Sequence, residues 1–65
     1  GKAAVAPRFI VRVETPKKTF DYEYVNEYDA FLAYKKACLD MKLSRKSTRV
    51  SLSRGDTVFK SADLM

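Results

Sequence analysis

Two segments near the beginning of the chain alternate between apolar and polar residues, which is typical of strands with one buried face. They are residues 8–14 (RFIVRVE) and residues 19–25 (TFDYEYV). The intervening residues, TPKK, contain Pro16, which suits position i+1 of a type I turn. The pattern therefore predicts a β-hairpin.

The side chains of this hairpin predict its register. If Glu14 pairs with Thr19, the apolar residues of the two strands meet on one face: Val13 with Phe20, Val11 with Tyr22 and Phe9 with Tyr24. On the other face Arg12 then meets Asp21. Because one register satisfies both faces, we expect the three aromatic residues of the second strand to point into the core. Replacing Tyr22 with Ala should then destabilise the fold.

A helix is predicted next, from about Glu27 to Leu43. Asn26 is placed to cap its N-terminus, and Asp29 follows three residues later. Apolar residues recur at helical spacing in two stripes. The main stripe holds Ala30, Phe31, Tyr34, Ala37, Cys38 and Met41, and the second stripe holds Tyr28, Leu32, Leu39 and Leu43. We expect the main stripe to pack on the sheet.

A second hairpin follows the helix, with one strand near residues 48–54 and another at residues 57–61. Gly55 and Asp56 between them fit a two-residue type II′ turn, which has Gly at its first position. This turn pairs Ser53 with Val58 and Leu52 with Phe59. The predicted fold is therefore α+β in the order β-β-α-β-β, with one mainly antiparallel sheet and one helix packed on one of its faces. The order of the strands in the sheet stays open.

Length and composition indicate a single small domain. We place it at residues 8–65, with residues 1–7 as a flexible N-terminal tail. The one cysteine excludes an intrachain disulfide, and a small domain without disulfides is typical of an intracellular protein. No apolar run approaches the roughly 18 residues of a membrane span, so we expect no membrane partner.

The residue types that most catalysis needs are missing. The sequence contains no His, which is the commonest general base and metal ligand. One Cys without His makes no usual zinc site. Cys38 falls in the main stripe of the helix, which indicates a structural thiol rather than a nucleophile. We therefore predict a non-enzymatic protein without a cofactor or a metal.

The positive charge is concentrated in the second half of the chain. Residues 1–34 carry five bases and five acids, whereas residues 35–65 carry eight bases and three acids, which accounts for the net charge of +5. The helix dipole explains only one or two bases at a helix end. A larger cluster is typical of contact with phosphates. The predicted contact residues are Lys42, Arg45, Lys46 and Arg49, extended by Arg54, Lys60, Arg8 and Arg12.

The predicted open face of the sheet, away from the helix, argues against base stacking. It should present Arg8, Ile10, Arg12, Val25, Arg49, Ser51, Ser53, Val58 and Lys60. Sheets that bind single-stranded nucleic acid carry aromatic residues on such a face, and this face has none. Contact with the nucleic-acid backbone is then the expected mode.

The second stripe of the helix favours a protein partner instead, because a helix on a sheet needs only one apolar face. Either the stripe wraps the edge of the sheet, with Lys35 and Lys42 extending past it, or it is an interface for a partner or a second copy of the chain. The residues concerned are Tyr28, Leu32, Leu39 and Leu43.

The predicted function is a small basic module that contacts the backbone of DNA or RNA. The alternative is a modulator or inhibitor that binds an acidic protein surface through the basic patch or the helix stripe. A compact basic domain of this outline is similar to many small phage and viral proteins that bind a host macromolecule, although no motif carries that similarity. Backbone binding should weaken steeply with salt, whereas binding through an apolar stripe should not.

Overall fold

The computed structural model of the protein describes residues 8–44 and 49–63, with helix side chains described as far as residue 40. The predicted N-terminal tail, residues 1–7, lies outside these residues. In the described chain one helix accompanies one antiparallel sheet of four strands, which confirms the predicted α+β fold and its element order. The elements are β1 (Phe9–Glu14), β2 (Thr19–Tyr24), α1 (Glu27–Ser44), β3 (Arg49–Arg54) and β4 (Thr57–Asp63).

The first hairpin has the register that its side chains predict. Glu14 pairs with Thr19, Val11 with Tyr22 and Phe9 with Tyr24. The connecting turn is closed by Thr15, whose amide donates a 2.9 Å hydrogen bond to the carbonyl of Lys18. The amide of Lys18 donates in return to the Thr15 hydroxyl oxygen at 3.0 Å. The hydroxyl of Thr15 therefore helps to stabilise the turn by accepting a backbone hydrogen bond.

The strands lie in the order β2-β1-β3-β4, so the two hairpins join through their first strands. β1 and β3 are antiparallel, and their ladder places Val11 opposite Leu52 and Val13 opposite Val50. Since β2 and β3 both run antiparallel to β1, they run parallel to each other. The helix is the crossover connection between them, which is the usual way to join parallel strands.

The helix begins where the sequence predicts. Asn26 accepts a 2.8 Å hydrogen bond from the amide of Asp29 through its side-chain oxygen, and its side-chain nitrogen donates to the Asp29 carboxylate at 2.9 Å. This pair is an N-terminal cap, which satisfies a backbone donor that has no partner within the helix. Glu27 and Asp29 also place negative charge in the first turn, where the helix dipole favours it.

The core lies between the helix and the two central strands. Its buried residues are Phe9, Val11, Val13, Ala30, Tyr34, Val50 and Leu52, with Tyr24, Phe31, Ala33, Ala37 and Cys38 packed against them. The main stripe of the helix is therefore the buried one, as predicted, as far as its side chains are described. Val11 and Val50, from adjacent strands, are almost fully buried at the centre of this core.

The second hairpin differs from its predicted register. Gly55 has a φ of 60°, which the first turn position requires, and Ser53 pairs with Val58 as predicted. A β-bulge then interrupts the ladder between Leu52 and Ser53, so that Lys60, and not Phe59, stands opposite Leu52. The prediction of a Leu52–Phe59 pair is wrong because a bulge sets two residues of one strand against one of the other. The strand also continues beyond residue 61, to Asp63.

The helix is too narrow to cover the whole sheet. A helix with its side chains is about 10–12 Å wide, whereas strands lie about 4.8 Å apart, so one helix covers two strands well. Here it packs over β1 and β3. The aromatic residues of the outer strands are left partly in solvent: Phe20 is 36% exposed, Tyr22 49% and Phe59 48%. The prediction that Phe20 and Tyr22 are core residues is therefore wrong, although Tyr24, the third aromatic residue of β2, is half-buried.

Candidate binding surfaces

The open face of the sheet carries three of the predicted contact residues, and each of them is beside an acid. Arg12 donates hydrogen bonds to both carboxylate oxygens of Asp21, from Nε at 2.7 Å and from Nη2 at 3.0 Å. Looser ion pairs join Arg8 to Glu23 at 3.8 Å and Arg49 to Asp63 at 3.7 Å. Arg12 faces Asp21 and Arg49 faces Asp63 across neighbouring strands, whereas Glu23 faces Ile10 and reaches Arg8 diagonally.

The two hydrogen bonds between Arg12 and Asp21 shift the pKa of both side chains. The hydrogen bonds from Arg12, followed by its charge, hold the pKa of Asp21 below its usual value. The same carboxylate raises the pKa of Arg12, first through the hydrogen bond and then through its charge. Both groups therefore stay ionised over a wide pH range. Their charges cancel locally, which leaves the open face a poor source of positive potential.

Lys60 does not lie on the open face where the sequence analysis places it. The bulge turns it to the helix side, where its ammonium nitrogen lies 5.4 Å from the centre of the Phe31 ring. Lys35, one helical turn after Phe31, lies at the same distance from that ring. Neither lysine forms a salt bridge with a described residue. Two cations therefore share one aromatic ring between α1 and β4.

A third cation lies on the same side of the sheet. The guanidinium carbon of Arg54 is 4.8 Å from the centre of the Phe9 ring, and the Phe59 ring lies 6.1 Å from the Phe9 ring. Phenylalanine rings attract cations through their negative faces. We call Lys35, Arg54 and Lys60, with these rings, the cationic aromatic cluster.

The centre of the predicted basic patch lies mostly outside the described residues. Arg45 and Lys46 lie outside the described residues, and so does the side chain of Lys42. Arg49 is described, and it is the one that meets Asp63. The patch therefore stays a prediction for its first three residues.

The second stripe of the helix faces solvent. At 3.6 residues per turn, Tyr28, Leu32 and Leu39 lie about 160–180° around the helix from the buried Ala30. Tyr28 is 70% exposed, Leu32 45% and Leu39 58%. The stripe therefore does not wrap the edge of the sheet in the described residues. The side chain of Leu43, the fourth member, is not among them. We call the three described residues the outer helix stripe.

A groove runs between the helix and β2. Its volume is about 520 Å³, and its walls are mostly apolar. The lining residues are Val11, Val13, Thr15, Phe20, Tyr22 and Tyr24 from the sheet side, and Ala33, Lys36, Ala37 and Asp40 from the helix. The narrow helix leaves this groove open over the edge strand. Sequence patterning alone could not reveal it, because it depends on β2 being at the edge.

Cys38 lies where a structural thiol is expected. It is half-buried, carries no disulfide and packs against the core. Its neighbour Tyr34 is 9% exposed, and burial raises the pKa of Tyr34, with a further contribution from the interaction with Cys38.

In the described residues, no three His, Cys, Asp or Glu side chains come together as a metal site would need.

The described part of the chain contains no helix with the length and apolar character that crossing a membrane demands. No protein-family model matches the chain, and no curated protein or solved structure matches it either. The inference of function therefore depends on the surfaces described above.

Proposed function

We propose that the protein is a non-enzymatic binding module whose partner is another protein, bound through the outer helix stripe. The observation that carries the proposal is the exposure of Leu32 and Leu39 on the side of α1 that faces away from the core. Burying a leucine that folding has left exposed stabilises a complex by about 1.5–3 kcal/mol when burial is complete. Large apolar side chains exposed along one side of a helix, with polar residues on either side, are typical of an interaction site.

The border of the stripe indicates the chemistry of the partner. Lys35 and Lys36 flank it on either side, and the whole chain carries a net charge of +5. An amphipathic helix with acidic residues beside its apolar face would meet both features. Positive charge on the module would speed association with such a partner, while the leucines would slow dissociation.

Binding to the backbone of DNA or RNA is the second candidate. The cationic aromatic cluster supports it, because Lys35 and Lys60 converge on Phe31 without a salt bridge to a described residue. The predicted patch of Lys42, Arg45 and Lys46 would add to the positive charge. We rank it second because Arg8, Arg12 and Arg49 each have an acid beside them.

An intracellular site of action completes the proposal. The absence of His and of a second Cys from the sequence supports a module that neither catalyses a reaction nor depends on disulfides. A small basic protein of the phage or viral accessory type, acting on a host macromolecule, would have these properties.

The experiment compares the wild-type protein with a Leu32→Ser/Leu39→Ser variant as bait in lysates with and without nuclease. Val58→Ser is the matched control, because Val58 is 59% exposed and lies on the opposite surface of the domain. We expect a protein prey that survives nuclease and moderate salt, is lost with the leucine variant and is kept by the control. Prey that disappears with nuclease and with salt would favour the second candidate instead.

A further inference from the structure

We propose that the outer edge of β2 accepts an extended strand from a partner protein in which apolar and basic residues alternate. This surface is separate from the outer helix stripe, and different observations support it. An added strand would pair with β2 through main-chain hydrogen bonds and enlarge the sheet.

The two edge strands are built differently. β4 carries a bulge, and next to the bulge Lys60 turns toward the helix side. Bulges and inward-pointing charges are devices that keep an edge strand from pairing with another chain. β2 has no bulge: its pairing with β1 is regular from Thr19 to Tyr24, and the strand itself contains no Lys and no Pro. Lys18, directly before the strand, places its ammonium nitrogen 5.1 Å from the centre of the Phe20 ring at one end of this edge. Within the described chain β2 has β1 as its single neighbour.

The helix side of β2 suits apolar side chains. Phe20 and Tyr22 are exposed there, at the mouth of the groove that α1 leaves open. An added strand would lie about 4.8 Å from β2, and every second side chain would point to the same side as these two aromatic rings. Apolar residues at those positions would bury both rings and close the open side of the groove.

The other side of β2 suits basic side chains. It presents Asp21 and Glu23, which contact Arg12 and Arg8 from the β1 side. A carboxylate accepts several hydrogen bonds, so a Lys or Arg on the added strand could approach from the opposite side. A strand with apolar residues toward the groove and basic residues toward these acids meets both faces of β2.

A second copy of this chain would be less complementary to the two faces of β2. If two β2 strands paired antiparallel with Tyr22 opposite Tyr22, Asp21 of each copy would face Glu23 of the other. Like charges directly opposite one another destabilise a pair of strands. The charges on β2 therefore favour a different protein as the occupant.

The test uses synthetic peptides with blocked ends, since the partner itself is not identified. The probe is an eight-residue peptide of alternating Val and Lys, added to the full chain. One control peptide has the same composition in two blocks, and another alternates Val and Glu. Amide hydrogen exchange, followed residue by residue, should slow at alternate positions of Thr19–Tyr24 with the probe alone. Exchange in β4 should not change.

Two variants place the same change on the two edges. Tyr22→Lys puts a charge on the helix side of β2, and Phe59→Lys does so on β4; the two aromatic residues are 49% and 48% exposed. We expect Tyr22→Lys to weaken binding of the probe by about tenfold or more and Phe59→Lys to leave it unchanged. Melting temperature and amide spectra establish that each variant is folded.

Several outcomes would overturn the proposal. If the block peptide bound as tightly as the probe, the alternation of apolar and basic residues would not determine binding. If the Val/Glu peptide bound as tightly as the probe, Asp21 and Glu23 would not select a basic partner. Slowed exchange in β4 or in α1 would assign the peptide to another surface. Slowed exchange in β2 without peptide, growing with protein concentration, would make a second copy the occupant. Loss of probe binding would leave the outer helix stripe unaffected, so the two proposals fail separately.

Discussion

Arg12 and Asp21 face each other across the first hairpin and are joined by two parallel hydrogen bonds, of 2.7 and 3.0 Å. This is the fork-shaped geometry in which a guanidinium binds a carboxylate best. Because both side chains are about half exposed, solvent limits what the pair contributes to stability. Its main consequence is that an acid and a base predicted to share a face cancel each other there.

The first prediction concerns acid stability. The pKa of Asp21 is lower in the folded protein than in the unfolded chain, so its contribution is present above the unfolded value of about 3.9 and is lost as pH falls through the folded value. Asp21→Asn should therefore lower the free energy of unfolding at pH 7 by about 0.2–1 kcal/mol, and the difference from wild type should vanish in acid. Melting temperatures across an acid pH series measure this.

Glu23→Gln is the control for that series. Its ion pair with Arg8 spans 3.8 Å, so its effect should be smaller than that of Asp21→Asn. An Asp21→Asn difference that stayed constant down to the lowest pH would show that the carboxylate charge does not act through Arg12.

The second prediction concerns alkaline pH. Burial raises the pKa of Tyr34, so its phenol should ionise above the usual value for tyrosine in a titration followed by ultraviolet absorbance. A raised folded pKa means that stability is fully present below the unfolded value of about 10 and is lost as pH rises through the folded value. Tyr34→Phe should remove the titration step that lies above the usual tyrosine value of about 10. A Tyr34→Phe variant that kept this step would contradict the assignment.

The third prediction separates the core from the outer helix stripe. Leu52 is 2% exposed, and Leu52→Ala should lower the free energy of unfolding by about 2–5 kcal/mol, because a cavity forms in the core. Leu39→Ala should change it by about 0.5 kcal/mol or less, because Leu39 projects into solvent. Urea denaturation of both variants makes the comparison. A large loss with Leu39→Ala would mean that the stripe is covered in the isolated protein.

The fourth prediction tests the predicted basic patch. If nucleic acid is bound there, Arg45→Ala/Lys46→Ala should weaken binding to all sequences alike and reduce the log–log salt slope by about 0.9 for each lost duplex contact, up to about 2. Arg8→Ala/Arg12→Ala is the matched control, since both arginines already lie beside acids. Its slope should stay close to that of wild type. Equal slopes for wild type and the Arg45/Lys46 variant would remove these residues from any contact site.

Local patterns predicted the elements of this fold well. The alternation in β1 and β2 predicted their register because a slip by one residue would turn every side chain to the other face. The cap at Asn26 and the positive φ at Gly55 follow equally from residue type. Each of these features depends on residues close in the sequence, which is why one sequence suffices to predict them.

The surfaces were harder to predict because they depend on strand order and on one irregularity. Tyr22 points toward the helix side as predicted, yet it is exposed because β2 lies at the edge of the sheet. Lys60 changes sides because of the bulge, for which the residues near Gly55 give no signal. The edge position of β2 and the bulge in β4 decide which side chains are exposed. They therefore changed the predicted binding surfaces more than the predicted fold.

The position of β1 and β3 at the centre of the sheet has a consequence for the order of folding. Each hairpin closes between neighbours in the sequence, whereas the β1–β3 ladder joins Phe9 to Arg54 and Glu14 to Arg49, across the whole helix. Closing that long loop is the step that costs the most chain entropy, so we expect it to limit the rate. Truncating Val50 at the central ladder should then slow refolding, while truncating Phe20 at the edge should mainly hasten unfolding. The long-range ladder at the centre of the sheet would thus form in the rate-limiting step, and the packing of Phe20 on the edge strand would be completed after it.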